Sequence, residues 1–171
     1  MRSKLNPQGT SKINFPGFQE ILDFTATGSE SSVALTVDGD VDKEYRITIR
    51  NTSTTDSVCL RINNDSTANR HGRRYLQNYL GTITSNQNTG TFWYLGFVGG
   101  SGITEVLTPT GLIKTCFTQS NNYASGTTIE NCYIAGNSFN STANVTLLYF
   151  LMSSGAFPTG TRITIYARRS N

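Results

Sequence analysis

Hydrophobic and polar residues alternate in short stretches along most of the chain. In residues 44–51, Tyr45, Ile47 and Ile49 fall on one side of an extended backbone, while Arg46 and Arg50 fall on the other. This period of two predicts antiparallel strands with one face in a core and one face in water. The core positions expected from the same pattern are Val33, Leu35, Val37, Tyr45, Ile47, Ile49, Val58, Leu60, Ile62, Ile163, Ile165 and Ala167.

Short strands account for the rest of the chain as well. Turns rich in Asn, Ser, Asp and Gly are expected at residues 38–40, 51–57, 85–90, 99–102, 119–126 and 136–144. The strands expected between them are residues 21–25, 32–37, 44–51, 58–62, 75–84, 91–98, 105–108, 112–118, 129–135, 145–153 and 162–168. No stretch has helical periodicity. We therefore predict an all-β, antiparallel two-sheet sandwich, with jelly-roll topology as the leading option.

The beginning of the chain differs from this pattern. Residues 1–16 contain two prolines, a glycine and the basic residues Lys4 and Lys12, with few large apolar side chains. They are expected to form an extended arm, followed by a single sandwich domain over residues 17–171. The charged start lacks the apolar run of a signal peptide, and no segment is long enough to span a bilayer as a helix, so no membrane partner is expected.

Composition limits the classes of partner. Charged residues make up 15%, the net charge is only +3, and 11% aromatic residues can build a core under a neutral polar surface. A dedicated nucleic-acid-binding domain would carry far more positive charge, so nucleic acid is not an expected partner. Arg70, Arg73 and Arg74 surround His71, however, and this basic loop, with Lys4 and Lys12, is our candidate protein-contact site.

The cysteines do not form a metal motif. Cys59, Cys116 and Cys132 are widely spaced, and neither a CxxC pair nor a Cys/His pattern is present. Cys59 and Cys116 have apolar neighbours, which favours reduced thiols packed as small hydrophobic side chains. The pattern leaves a Cys116–Cys132 disulfide open as the alternative.

No catalytic motif is apparent. His71 is the only histidine, and the chain has no nucleophile elbow, zinc-protease or phosphate-loop signature. Residues 38–44 place carboxylates at alternate positions, as some calcium loops do, but the glycine and the closing glutamate of such a loop are missing. An ordinary hairpin turn is the favoured interpretation. We predict a non-enzymatic protein with no cofactor and no bound metal.

The aromatic run Phe92-Trp93-Tyr94-Leu95-Gly96-Phe97 is apolar on both faces of an extended strand. A central buried strand is the favoured interpretation. Two alternatives stay open: a subunit interface, or a platform that stacks sugar rings. The candidate platform residues are Trp93, Tyr75, Tyr79 and Tyr123.

Two segments also carry a family resemblance. Tyr45-Arg46-Ile47-Thr48-Ile49-Arg50-Asn51 leads to Leu60-Arg61-Ile62-Asn63-Asn64-Asp65-Ser66-Thr67-Ala68-Asn69, and the chain closes with Gly160-Thr161-Arg162-Ile163-Thr164-Ile165-Tyr166-Ala167-Arg168-Arg169. Together these resemble small β-sandwich virion proteins of tailed bacteriophages. The pieces cover about a sixth of the chain and carry over no catalytic residue.

The resemblance implies a structural role in a virion, made in the bacterial cytoplasm. We expect a capsid decoration protein that binds the major capsid protein or another virion protein. A tail or fibre component, or a free carbohydrate-binding module that recognises glycans, is the alternative. Free sheet edges also favour a homo-oligomer, for which we expect a trimer.

Overall fold

The protein folds entirely from β-strands in the part of the chain that its computed structural model describes, residues 15–79, 82–109, 111–123 and 129–169. Twelve strands, and no helix, lie within these ranges. The strands are β1 (Gln19–Thr25), β2 (Ser32–Thr36), β3 (Asp42–Arg50), β4 (Val58–Ile62), β5 (His71–Tyr79), β6 (Thr82–Gly90), β7 (Trp93–Gly96), β8 (Ser101–Leu107), β9 (Lys114–Tyr123), β10 (Ile129–Phe139), β11 (Leu147–Met152) and β12 (Arg162–Arg169).

Eight of these strands form a jelly roll. The large sheet contains the order β1-β12-β3-β8, and the small sheet has the order β2-β11-β4-β7. Each strand of the first half pairs antiparallel with its counterpart in the second half: β1 with β12, β2 with β11, β3 with β8, and β4 with β7. This nested pairing is the signature of the jelly roll, so the predicted fold class is confirmed.

Two inserted hairpins widen the large sheet. β5 and β6 lie between β4 and β7 in sequence, β9 and β10 lie between β8 and β11, and together they extend the large sheet to β1-β12-β3-β8-β9-β10-β5-β6. The turn predicted at residues 85–90 was wrong, because these residues form β6. Three other predicted turns are partly strand: β8 begins at Ser101, β9 runs on to Tyr123, and β10 runs on to Phe139. Their Thr, Ser, Asn and Gln residues look like turns in sequence, yet they pair in regular register.

The core lies between the two sheets at the positions that the alternation predicts. Tyr45, Ile47 and Leu60 are fully buried, and Val33 and Val37 are partly buried against the same cluster. At about 25 cal/mol for each Å² of apolar surface removed from water, burial of one such isoleucine or leucine stabilises the fold by roughly 1.5–3 kcal/mol. The alternation along β3, β4 and β12 is therefore sufficient to fix which face of each strand is inside.

The Asn-rich segment that carries the family resemblance is a structural turn. Asn63 and Asn64 have left-handed backbones, with φ of 55° and 51°, which asparagine tolerates better than most side chains. The Asn63 amide donates to the carbonyl of Asn144 at 2.8 Å, and its Oδ1 accepts from the backbone N–H of Thr146 at 2.8 Å. These bonds fasten the turn after β4 to the segment before β11.

The cysteines are all free thiols. Cys116 lies opposite Asn137 and Cys132 lies opposite Asn121, so the two thiols are five positions apart along paired strands, about 16 Å at 3.3 Å per residue. A disulfide requires Cα atoms within about 7 Å, so the Cys116–Cys132 alternative is wrong. Cys116 is buried, as is Cys59, and Cys132 is exposed.

Candidate interaction surface

The outer face of the large sheet, the face turned away from the small sheet, carries most of the large hydrophobic side chains that are exposed among the described residues. Strand register places Ile103, Gln119, Ile134 and Leu76 side by side across β8, β9, β10 and β5. These residues point outward because their neighbours along each strand, such as Val106 and Tyr133, point into the interior.

Four residues form what we call the outer patch: Leu76, Ile103, Phe117 and Ile134. Leu76 is 53% exposed and each of the others is 45% exposed. Phe117 lies opposite Gly136, which has no side chain to cover the ring. Large apolar side chains that cluster on an open surface commonly mark a contact site.

A groove continues from this patch towards β1. It has a volume of about 860 Å³ and is lined by residues that include Ile103, Ile134, Arg50, Asn121 and Cys132. The backbone N–H and the hydroxyl of Ser101 both donate to Asn121 Oδ1, at 3.2 Å and 3.0 Å, which fixes the orientation of that amide. The groove therefore combines apolar side chains with oriented polar groups.

The start of the described chain lies on the same face. The ring of Phe15 packs edge-on against Tyr166, with 5.0 Å between centroids, and the Arg46 guanidinium lies 4.6 Å from the centre of the Phe15 ring and 4.7 Å from that of Phe18. Arg46 is held from its other side by Glu105, at 2.6 Å. Phe15, which the sequence analysis assigns to the arm, therefore packs on the large sheet. The other arm residues named as candidate contacts, Lys4 and Lys12, lie outside the described residues.

The predicted basic loop is instead the beginning of strand β5, which separates its members. Arg74 is exposed on the outer face, whereas Arg73 points to the opposite face among aromatic rings. Arg70 precedes the strand, where it donates to the carbonyl of Asn140 at 2.8 Å and lies 3.9 Å from Asp65. The prediction of one continuous basic contact loop is therefore wrong, because a period of two sends neighbouring residues to opposite faces.

His71 is buried, so its placement at an exposed interface is also wrong. Only 1% of the residue is exposed, and its ring packs against Trp93 and Phe139. Nε2 accepts the backbone N–H of Ile62 at 3.3 Å, which requires a neutral imidazole with an available lone pair. Burial lowers the pKa of His71 to about 4, with Arg61 acting in the same direction and Asp65 opposing it.

Trp93 cannot belong to a solvent-facing glycan platform. Its side chain is fully buried, and its indole N–H donates to the carbonyl of Ser138 at 3.2 Å. Strand β7 itself is the end strand of the small sheet and not a central strand as predicted, and Trp93 and Leu95 point inward. The candidate platform residues Tyr79 and Tyr123 end β5 and β9, and their side chains lie outside the described residues.

A different aromatic cluster forms beside β7. Tyr94 stacks on Phe97 with 6.2 Å between centroids, and Tyr133 packs against both Phe97 and Tyr75 at 4.6 Å and 5.1 Å. The Arg73 guanidinium lies 4.9 Å from the Tyr75 ring centre and 4.5 Å from that of Tyr94, which is cation–π geometry. Tyr75 is thus part of an aromatic cluster, but a half-buried one on the inner side of the inserted hairpins.

The described residues hold no group of three or more His, Cys, Asp or Glu side chains placed to bind a metal ion. In the acidic turn before β3, Asp38 Oδ1 accepts from the backbone N–H of Asp40 at 3.0 Å and from the Asn144 amide at 3.1 Å. These hydrogen bonds lower the pKa of Asp38, with the Asn144 bond as the largest cause. The carboxylate thus stabilises the turn.

No known family model matches the chain. No curated protein matches it significantly in sequence. Within the described residues, no helix is long and apolar enough to cross a membrane.

The outer patch was missed in the sequence, although a signal for it exists. Ile103, Phe117 and Ile134 each stand one position out of phase with the buried residues of their own strands. A strand that is apolar on its second face as well indicates a covered or contacting surface. These residues can be recognised as a second apolar face only when the register of β8, β9 and β10 is known. The polar residues in and between these strands make that register hard to predict from sequence.

Proposed function

We propose that the protein is a non-enzymatic virion component of a tailed bacteriophage, a decoration protein whose outer patch binds the capsid shell. The resemblance of the segments around Asn63 and Tyr166 to small phage virion proteins supports this role. The jelly roll is also an architecture that viral capsid proteins use, although it serves many other functions.

The observation that carries the proposal is the outer patch itself. Leu76, Ile103, Phe117 and Ile134 leave roughly half of each side chain in water on one sheet face. A partner that covers exposed apolar side chains of this kind removes them from water, and this burial stabilises the complex. The shell protein of a capsid offers such a partner in many copies.

The test replaces an apolar contact by a charge on the outer patch. Ile134→Glu is introduced into the chain, and binding is measured to particles of the encoding phage that lack the protein. Val41→Glu is the matched control, because Val41 is 43% exposed, close to the 45% of Ile134, but lies in the turn before β3. We expect Ile134→Glu to weaken binding roughly tenfold or more, equivalent to about 1.4 kcal/mol.

Two results would contradict the proposal. The first is that both variants bind the particles as well as the unaltered chain does. The second is that quantitative mass spectrometry finds no copy of the chain in purified virions. Hundreds of copies per particle would support a place on the shell, whereas a few tens would move the protein to the tail.

Glycan binding is a second candidate, because the groove is of a size that suits a small ligand. Its volume of about 860 Å³ falls within the usual range for ligand sites, roughly 300–1,000 Å³. Arg50 and Asn121 supply hydrogen-bond donors, and Ile103 and Ile134 supply apolar surface for the ring faces of a sugar. Isothermal titration with oligosaccharides of the host surface, repeated with Arg50→Met, tests this; heat changes identical for both proteins would contradict it.

A further inference from the structure

The two sheets have four end strands, and three of them are protected against pairing with another chain. β1 carries Glu20 and Asp23 and has a bulge between Glu20 and Leu22. β2 and β7 are short, with five and four residues. Charges, bulges and short length are the usual features that keep an edge strand from joining a foreign strand.

Strand β6 has none of these features. It is nine residues long, Thr82–Gly90, and pairs with β5 without any bulge. It contains no charged residue and no proline, and every residue from Thr82 to Thr89 is exposed. A long, flat, uncharged edge strand presents a ready row of backbone donors and acceptors to another strand.

The hydrogen bonds of β6 show which backbone groups face outward. The N–H of Gln87 donates to the side chain of Asn86 at 2.8 Å, and the N–H of Thr89 donates to the side chain of Asn88 at 2.7 Å. In an antiparallel pair, alternate residues of an edge strand turn their N–H and C=O away from the partner. Gln87 and Thr89 are therefore outward-facing residues, and each of their N–H groups bonds to the side chain of the asparagine before it.

These side-chain bonds can be exchanged for bonds to another strand. Each Asn bond spans adjacent residues at a fully exposed site, so a carbonyl from an incoming strand can replace it with little loss. The released Asn86 and Asn88 amides can then hydrogen-bond across the new pair.

An apolar side chain also reaches this edge. Ile83 is 73% exposed and lies opposite Asn78, on the same outer face as Leu76. A partner strand laid against β6 would cover part of Ile83. The edge therefore offers apolar contact besides the backbone ladder.

We propose that β6 pairs antiparallel with β6 of a second copy of this chain, which joins two large sheets into one continuous sheet. A second copy fits because β6 has no charge to repel itself, and its Thr, Ser, Asn and Gln side chains can hydrogen-bond to the same set reversed. Pairing centred on Asn86 sets Ser85 opposite Gln87 of the partner. Two such edges close a two-fold dimer, which differs from the trimer expected from the sequence.

The first test removes one outward N–H. Gln87→Pro deletes a donor that β5 does not use and places a ring on the pairing edge, whereas Gln87→Ala keeps the donor. Sedimentation equilibrium of the full chain over a wide concentration range is expected to give a mass of two chains for the unaltered protein and for Gln87→Ala. Gln87→Pro is expected to raise the dimer dissociation constant roughly tenfold or more. Its unfolding midpoint is expected to match that of Gln87→Ala at concentrations where both chains are monomeric.

The second test uses charge. In pairing centred on Asn86, the two Gln87 side chains lie diagonally on one face, at roughly 7–8 Å. Gln87→Lys and Gln87→Glu should each weaken self-association, and an equimolar mixture should recover mixed dimers in native mass spectrometry.

Several outcomes would overturn the pairing. These are an unaltered chain of one-chain or three-chain mass at every concentration, a Gln87→Pro dimer as tight as the Gln87→Ala dimer, or mixed charge variants that associate no better than each alone. None of these measurements involves virions, so their failure leaves the capsid proposal to its own test.

Discussion

Acidification from about pH 6.5 towards pH 4 should destabilise this protein through His71. The pKa of His71 is lowered from 6.5 to about 4 in the folded protein, mainly by burial. Between these values the unfolded chain binds a proton that the folded chain does not, so stability falls as the pH falls from 6.5 towards 4. Above the unfolded pKa both states are neutral and His71 contributes no pH dependence.

The size of the effect follows from the two pKa values. Between about pH 7.5 and about pH 4.5, His71 is expected to lower the free energy of unfolding by roughly 2–3 kcal/mol. Glu30 and Asp65 have lowered pKa values, so the stability that these two carboxylates contribute is lost mainly at the lower end of this range and below it. A loss of this size is a large fraction of the stability of an ordinary small domain.

The assay is urea unfolding followed by the fluorescence of Trp93, the only tryptophan, whose ring lies 5.5 Å from the His71 ring. His71→Gln is the control, because glutamine can accept the Ile62 N–H but does not titrate. We expect the free energy of unfolding of the unaltered protein to fall by roughly 2–3 kcal/mol over the range, and that of the variant to fall far less. Equal losses in both proteins, or a His71 pKa near 6.5 by NMR titration, would refute the reasoning.

Three further predictions concern the interior. Lys114 is fully buried and its amine donates to three backbone carbonyls, so Lys114→Met should lower the free energy of unfolding by about 3 kcal/mol in the urea assay; an unchanged midpoint would contradict this. A maleimide should label only Cys132 in the native chain, since Cys59 and Cys116 are buried and burial raises the pKa of the Cys116 thiol to about 11; fast labelling of two or three thiols would refute it. Acrylamide should quench Trp93 little until the protein is unfolded, and quenching as efficient as that of free tryptophan would be inconsistent with its burial.

The sequence was sufficient to predict the jelly-roll part of the fold. Strands β3, β4 and β12 each turn one face into the core between the sheets, so their large apolar residues recur every second position. Burial at this period is a local signal that needs no knowledge of the neighbouring strands.

The inserted hairpins could not be predicted in the same way. β6 is exposed along almost its whole length, so nothing selects apolar residues there, and its Asn and Ser content is typical of a turn. What makes it a strand is its hydrogen-bonded pairing with β5, which is not visible in its own composition. Because residues 85–90 were predicted as a turn, neither the outer patch nor the unpaired edge of the large sheet at β6 was predicted.

The prediction of a basic contact loop was wrong for a related reason. Arg70, His71, Arg73 and Arg74 look like one basic cluster when they are taken as a loop. Once residues 71–79 form strand β5, His71 and Arg73 belong to the inner face and only Arg74 remains on the outer one. The favoured burial of Trp93 was correct, whereas the glycan-platform alternative stayed open because a strand that is apolar on both faces does not reveal which face is covered.

The capsid proposal is tested most directly by the rate at which Cys132 is labelled. This exposed thiol lines the groove together with Ile134. Virions carrying the protein and the purified chain are treated with the same maleimide, and modification of Cys132 is followed by mass spectrometry. If the outer patch binds the shell, labelling on the virion should be roughly tenfold slower or more, because the thiol is covered. Labelling at the rate of the free chain would show that this face is open on the particle and would contradict the account.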